Sequence, residues 1–138
     1  MPPSKDPSDP REWLRRARSN LAIASGSPAS PEIVYDDLCF EAQQAAEKAV
    51  KAVMVAGRQD FPKSHNIGEL LDLVEGAGMP PPADVSEARR LSRYAAGGRY
   101  PRFGEDASPE EWRRAVALAE RMLRWAESVI AAMSAGRE

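Results

Sequence analysis

Two long stretches of the chain carry apolar residues at spacings of three and four. In the first, Val34, Leu38, Ala42, Ala45, Ala49 and Val53 form the series, and in the second Trp112, Val116, Ala119, Leu123, Ala126 and Ile130. At about 100° per residue such a series lies along one face of an α-helix, which must bury that face against other elements. No segment alternates apolar and polar residues for long enough to read as a strand. The pattern therefore specifies an all-α chain whose helices pack on one another.

Boundary signals divide the chain into five helices. Asp9-Pro10-Arg11-Glu12, Asp84-Val85-Ser86-Glu87 and Ser108-Pro109-Glu110-Glu111 each place a capping side chain ahead of a first turn that carries a carboxylate. Such a cap oxygen accepts an unpaired backbone N–H, and the carboxylate favours the positive end of the helix dipole. The first helix is expected from about Pro10 to Ser25, with Trp13, Ala17, Leu21 and Ala24 on its inner face. The second is expected from about Pro31 to Ala56, stopped by Gly57. The third should start near Ser64 or His65, carry Ile67, Leu70, Leu71 and Val74, and end in the glycines and prolines of EGAGMPPP. A fourth is expected from Asp84 to about Ala96, and a fifth from Ser108 to about Met133. The short linkers suit antiparallel neighbours in a bundle. Trp13, Trp112 and Trp125 are expected in the core.

With 138 residues the chain suits one domain, expected over residues 9–134, with tails at 1–8 and 135–138. No apolar run approaches the ~20 residues of a spanning helix. MPPSKDPSDP has no apolar signal-peptide core, and a single cysteine, Cys39, forms no internal disulfide. A cytoplasmic protein is expected. One histidine and one cysteine are too few for an ordinary metal site, and no cofactor is expected. The net charge of −2 argues against a general polyanion binder, yet Arg89, Arg90, Arg93, Arg99 and Arg102 crowd into residues 88–104 with no carboxylate between them. Such a block either binds phosphates or forms a solvated helix face.

The second helix has another feature. Phe40, Gln44, Glu47 and Lys51 fall within about 60° of one another, and Glu47 and Lys51 stand at i,i+4. Together with FEAQQAAEKAVKAVMVAG, FPKSHNIGELL and RYP, these residues resemble the HEPN family of small helical proteins. The resemblance runs from about residue 10 to 130. It rests most firmly on Gln44, Glu47, Lys48 and Lys51, on Pro62-Lys63-Ser64-His65, and on Tyr94 with Arg99-Tyr100-Pro101. It implies an up-and-down bundle of four main helices with a shorter extra one, often a homodimer. It also implies the company of a minimal nucleotidyltransferase, and metal-independent ribonuclease activity in toxin–antitoxin or defence systems.

In catalytic members of that family an arginine precedes, by four to six intervening residues, a histidine at the start of a helix. Arg58 and His65, with six residues between them, meet this pattern and become the candidate catalytic pair. An imidazole can take the proton of a ribose 2′-hydroxyl while a guanidinium stabilises the charge on phosphorus. Some HEPN toxins carry a tyrosine two residues after the histidine, which the nucleotidyltransferase modifies; here Ile67 stands at that position. The stretch YAAGGRYPRF mixes aromatic and arginine side chains, which makes Arg93, Tyr94, Arg99, Tyr100 and Arg102 candidates for nucleotide or RNA binding. Its other reading is that the aromatic residues close the end of the bundle. Two alternatives to a ribonuclease follow: a module that binds nucleotide, RNA or a partner protein without cleavage, and a dimer whose task is assembly.

Overall fold

The computed structural model describes residues 6–97 and 106–136, and among these every regular element is helical. Helices α1 (Pro10–Ser25), α2 (Tyr35–Ala56), α3 (Ile67–Gly76) and α6 (Pro109–Ala135) are the four main helices of an up-and-down bundle. Between α3 and α6 runs a shorter compound segment: α4 (Ala83–Ser86), a 3₁₀ helix (Glu87–Arg93) and α5 (Tyr94–Gly97). No helix of the described residues is long and apolar enough to cross a membrane.

The caps at Asp9 and Ser108 form as expected, accepting the N–H of Arg11 and of Glu111. Other boundaries differ from the expectation, each for a local reason. Helix α2 begins at Tyr35 rather than near Pro31, because Ser30 draws the chain into a turn: its hydroxyl accepts the N–H of Glu32 and its carbonyl that of Ile33. Val34 is then an extended residue before the helix, 41% exposed, and not part of the core. Helix α3 begins at Ile67, after both Ser64 and His65. Asn66 is its cap and accepts the N–H of Glu69, while the Ser64 hydroxyl accepts the N–H of Asn66 and donates to the Glu69 carboxylate. That is a capping box relayed through one hydroxyl.

The segment expected as one α-helix from Asp84 is mostly not α-helical, and Asp84 makes no side-chain cap. Pro82 occupies the cap position and leaves Asp84 in the first turn. Beyond it, the burial pattern explains the tighter winding. Val85, Ala88, Leu91 and Tyr94 are buried, Ser86, Arg89 and Ser92 half-buried, and Glu87, Arg90 and Arg93 exposed. A repeat of three residues per turn is that of a 3₁₀ helix, whereas an α-helix would turn each row by about 60° out of register every three residues. Arg89 fixes the middle row, donating to Ser86, to the Gly68 carbonyl and to Asp72.

Helix α2 is the axis of the bundle. Helices α1, α3 and α6 and the compound segment all pack on it, and from Ala45 to Met54 every residue except Lys48 is buried. Six alanines, from Ala42 to Ala56, allow the neighbouring helices to approach closely. The tryptophans lie at the margin of the core rather than inside it, each with its ring partly covered. The indole N–H of Trp112 donates to the Ala24 carbonyl, which lies in the unpaired last turn of α1, and that of Trp13 donates to the Pro7 carbonyl.

Candidate functional site

The second face of α2 is not a wet surface. Glu47 is 4% exposed and Lys51 7%, because α1 and the 57–66 connection close over them. A carboxylate in such a place must be paired or hydrogen-bonded throughout. One oxygen, Oε2, accepts from Lys51 Nζ at 2.9 Å. The other, Oε1, accepts from Gln43 Nε2 at 3.0 Å and lies 2.9 Å from His65 Nδ1. Gln43, fully buried, also donates to the backbone carbonyl of His65, and its own oxygen accepts from Gln44. Burial pushes the Glu47 carboxyl up, but the bonds from Gln43, Lys51 and His65 together outweigh it and hold the group below the ordinary carboxylate range.

Glu47 is therefore ionised at neutral pH, accepts, and leaves the shared proton on His65 Nδ1. The other ring nitrogen, Nε2, belongs to a side chain that is 60% exposed. A buried carboxylate that fixes tautomer and ring orientation, with the other ring nitrogen facing solvent, is the arrangement a histidine general base requires. Gln43 adds to it by holding the His65 backbone. The Lys51 ammonium, on the far side of Glu47, lies 5.4 Å from the Phe61 ring centroid and 6.0 Å from that of Trp13, and the two rings meet edge to face at 5.7 Å.

Arg58 stands on the rim of a cleft shared with Trp13, Gln59, Asp60 and Phe61. No hydrogen bond or ion pair joins it to His65, which is not among the residues that line this cleft. Its backbone has φ +55°. The N–H of Gln59 bonds to the Met54 carbonyl and that of Arg58 to the Val55 carbonyl, the pair of bonds that closes a helix around a left-handed residue. Gly57 precedes that position, with φ −84°. The left-handed residue is thus an arginine where glycine is the usual choice, and its guanidinium has no partner among the described residues.

Lys48, at the edge of the same face, donates to Asn20, which in turn donates to Glu41. Burial lowers its pKa, helped by the nearby Arg16 and Lys51 and opposed by Glu41 and Glu47. Of the nucleotide-binding candidates, Arg99, Tyr100 and Arg102 lie outside the described residues. Arg93 is exposed, with its guanidinium 5.4 Å from the Tyr94 ring centroid. Tyr94 is 6% exposed and donates to Glu111, so it offers little ring face for stacking a base. Burial, together with its charged surroundings, pushes its phenol up to about 12. Cys39 is buried, and among the described residues no group of three metal-ligating side chains converges.

Sequence reasoning placed Glu47 and His65 in separate motifs and missed Gln43, Trp13 and Phe61 as their surroundings. One signal was present: Gln43 stands four residues before Glu47 and Lys51 four after, which lines up all three on one helix face.

The family model of the HEPN domain matches residues 10–129. The chain belongs to the HEPN family. This HEPN domain is similar to two crystal structures in particular. TT1696 from Thermus thermophilus shares 34% identity at a TM-score of 0.68, over 87% of this chain and 97% of that one. ST0689, described as an archaeal HEPN homologue, shares 26% identity at a TM-score of 0.67, over 88% and 98%. No curated protein matches the chain.

Proposed function

We propose that this HEPN domain is a metal-independent endoribonuclease in which His65 is the general base and Arg58 the electrostatic stabiliser. The observation that carries the reading is the 2.9 Å contact between His65 Nδ1 and the buried, ionised Glu47, which leaves Nε2 exposed as a proton acceptor. His65 Nε2 takes the proton of a ribose 2′-hydroxyl, the freed oxygen attacks the adjacent phosphorus, and the bond to the 5′ oxygen breaks as that oxygen gains a proton from solvent. The products are a 2′,3′-cyclic phosphate and a 5′-hydroxyl end. Glu47 stabilises the imidazolium that forms, and the Arg58 guanidinium bonds to the non-bridging oxygens as they gain charge. Arg58 being held in a left-handed conformation, without a partner among the described residues, supports the assignment, since backbone strain of this kind tends to persist at working sites.

Two copies facing across a dimer axis would bring two such pairs into one cleft, and a minimal nucleotidyltransferase in a toxin–antitoxin or defence system is the partner that the family suggests. The test is an RNA cleavage time course in EDTA with wild type, His65→Ala, Arg58→Ala and Glu47→Gln at matched concentration. Loss of cleavage in the first two, and a lower kcat with unchanged KM in Glu47→Gln, is the expected result. Cleavage by His65→Ala at the wild-type rate, or none by the wild type on both structured and single-stranded RNA, overturns the proposal.

A further inference from the structure

The compound segment that holds the 3₁₀ helix and the neighbouring face of α6 are fastened at two points. At one, Arg121 pairs with Glu87 at 3.6 Å; at the other, the Tyr94 hydroxyl donates to Glu111 at 3.0 Å. Between these fastenings the two elements do not close. They leave a cavity of about 150 Å³ bordered by Arg90, Arg93 and Arg114, with Leu91, Ala115 and Leu118 supplying its apolar walls. None of the three arginines has a carboxylate partner among the described residues, and all three side chains are exposed.

The winding of the segment is what assembles them. In a 3₁₀ helix Arg90 and Arg93, three apart, stand one above the other, whereas in the α-helix that the sequence suggests they would diverge by about 60°. A run of seven 3₁₀ residues is longer than such helices usually sustain, and here it places like charges side by side. Three guanidiniums around one small cavity repel one another unless an anion lies among them. Among the described residues the one carboxylate on the rim, Glu111, is engaged by Tyr94, so the described rim carries a net charge of about +2. That matches the −1.5 to −2 of a phosphomonoester at neutral pH, and a planar guanidinium suits phosphate oxygens better than an ammonium would.

We infer that the cavity between the 3₁₀ helix and α6 binds a phosphomonoester, with Arg90, Arg93 and Arg114 as its ligands and Leu91 and Leu118 against the adjoining part of the molecule. This site uses neither His65 nor Glu47 and stands apart from the proposed cleavage reaction. The phosphate belongs either to a free mononucleotide or to the phosphorylated end of an oligoribonucleotide.

The experiment is a binding titration at constant, low ionic strength, read by calorimetry and by thermal shift. AMP is compared with adenosine, and a 5′-phosphorylated hexaribonucleotide with its 5′-hydroxyl form, using His65→Ala protein so that no RNA is cut. Expected is saturable binding of AMP but not adenosine, weakened about tenfold or more by Arg114→Ala and by Arg90→Ala, with Arg113→Ala, an exposed neighbour, unchanged. Preference for the phosphorylated hexamer over AMP assigns the site to an RNA end, and the reverse to a free nucleotide. Equal responses to AMP and adenosine, or a loss in Arg113→Ala as large as in Arg114→Ala, overturn the proposal.

Discussion

Replacing Arg58 by glycine should stabilise this protein while removing its proposed activity. Arg58 adopts φ +55° at the residue that closes α2, with the N–H groups of Arg58 and Gln59 bonded back to Val55 and Met54. An L-residue in that region brings Cβ against the following carbonyl, at about 1–2 kcal/mol; glycine avoids this but gains about 0.4–1 kcal/mol of conformational freedom in the unfolded chain. The difference leaves Arg58→Gly more stable by about 0.5–1 kcal/mol, a rise in Tm of roughly 1–4 °C for a chain of this size. Arg58→Ala retains Cβ and should match wild type within about 0.5 kcal/mol, with Arg58→Asn between the two because asparagine tolerates the left-handed region. Urea and thermal unfolding followed by circular dichroism measure the series. If Arg58→Gly is no more stable than Arg58→Ala, Cβ costs nothing in this conformation and the strain argument is wrong. If Arg58→Gly cleaves RNA like wild type, the guanidinium has no part in catalysis.

Two further expectations concern the carboxylates. Glu47→Ala strands the buried Lys51 ammonium and the Gln43 amide, and should destabilise by about 3–5 kcal/mol in urea unfolding; a loss below about 1 kcal/mol would mean that the network is wetter than its burial implies. Glu12, bonded by Arg15 and Arg16, has its carboxyl pulled down from 4.5 to about 2, so its stabilising effect is fully present above pH 4.5 and fades as the pH falls towards 2. Glu12→Gln should therefore flatten the fall of Tm across that window, and an unchanged slope would refute the assignment.

Local chemistry is what made most of the bundle legible. Asp9 and Ser108 cap their helices because each side-chain oxygen meets an N–H two or three residues away, a relation that short-range sequence contains in full. The apolar stripes of α2 and α6 likewise report the angle of each residue around its own helix axis. The misplaced starts of α2 and α3 belong to the same local level: Ser30 and Asn66 take up the neighbouring N–H groups and shift the boundary by a few residues. Even the 3₁₀ winding was present as the three-residue repeat Val85, Ala88, Leu91 and Tyr94, set against the stronger appearance of a capped α-helix.

The site is a different matter. That Glu47 lies inside, paired with Lys51 and aimed at His65, depends on Trp13 and Phe61 closing over α2 from segments 34 residues before and 14 residues after Glu47. Periodicity shows that Glu47 and Lys51 share a face, but it carries no information on what covers that face. By itself the sequence determined the four main helices, the caps at Asp9 and Ser108, most of the buried stripes and the family. The tertiary structure decided which polar residues are buried together, because burial is a property of the packed bundle, and it is the burial of Glu47 that forces it to take partners in Gln43, Lys51 and His65.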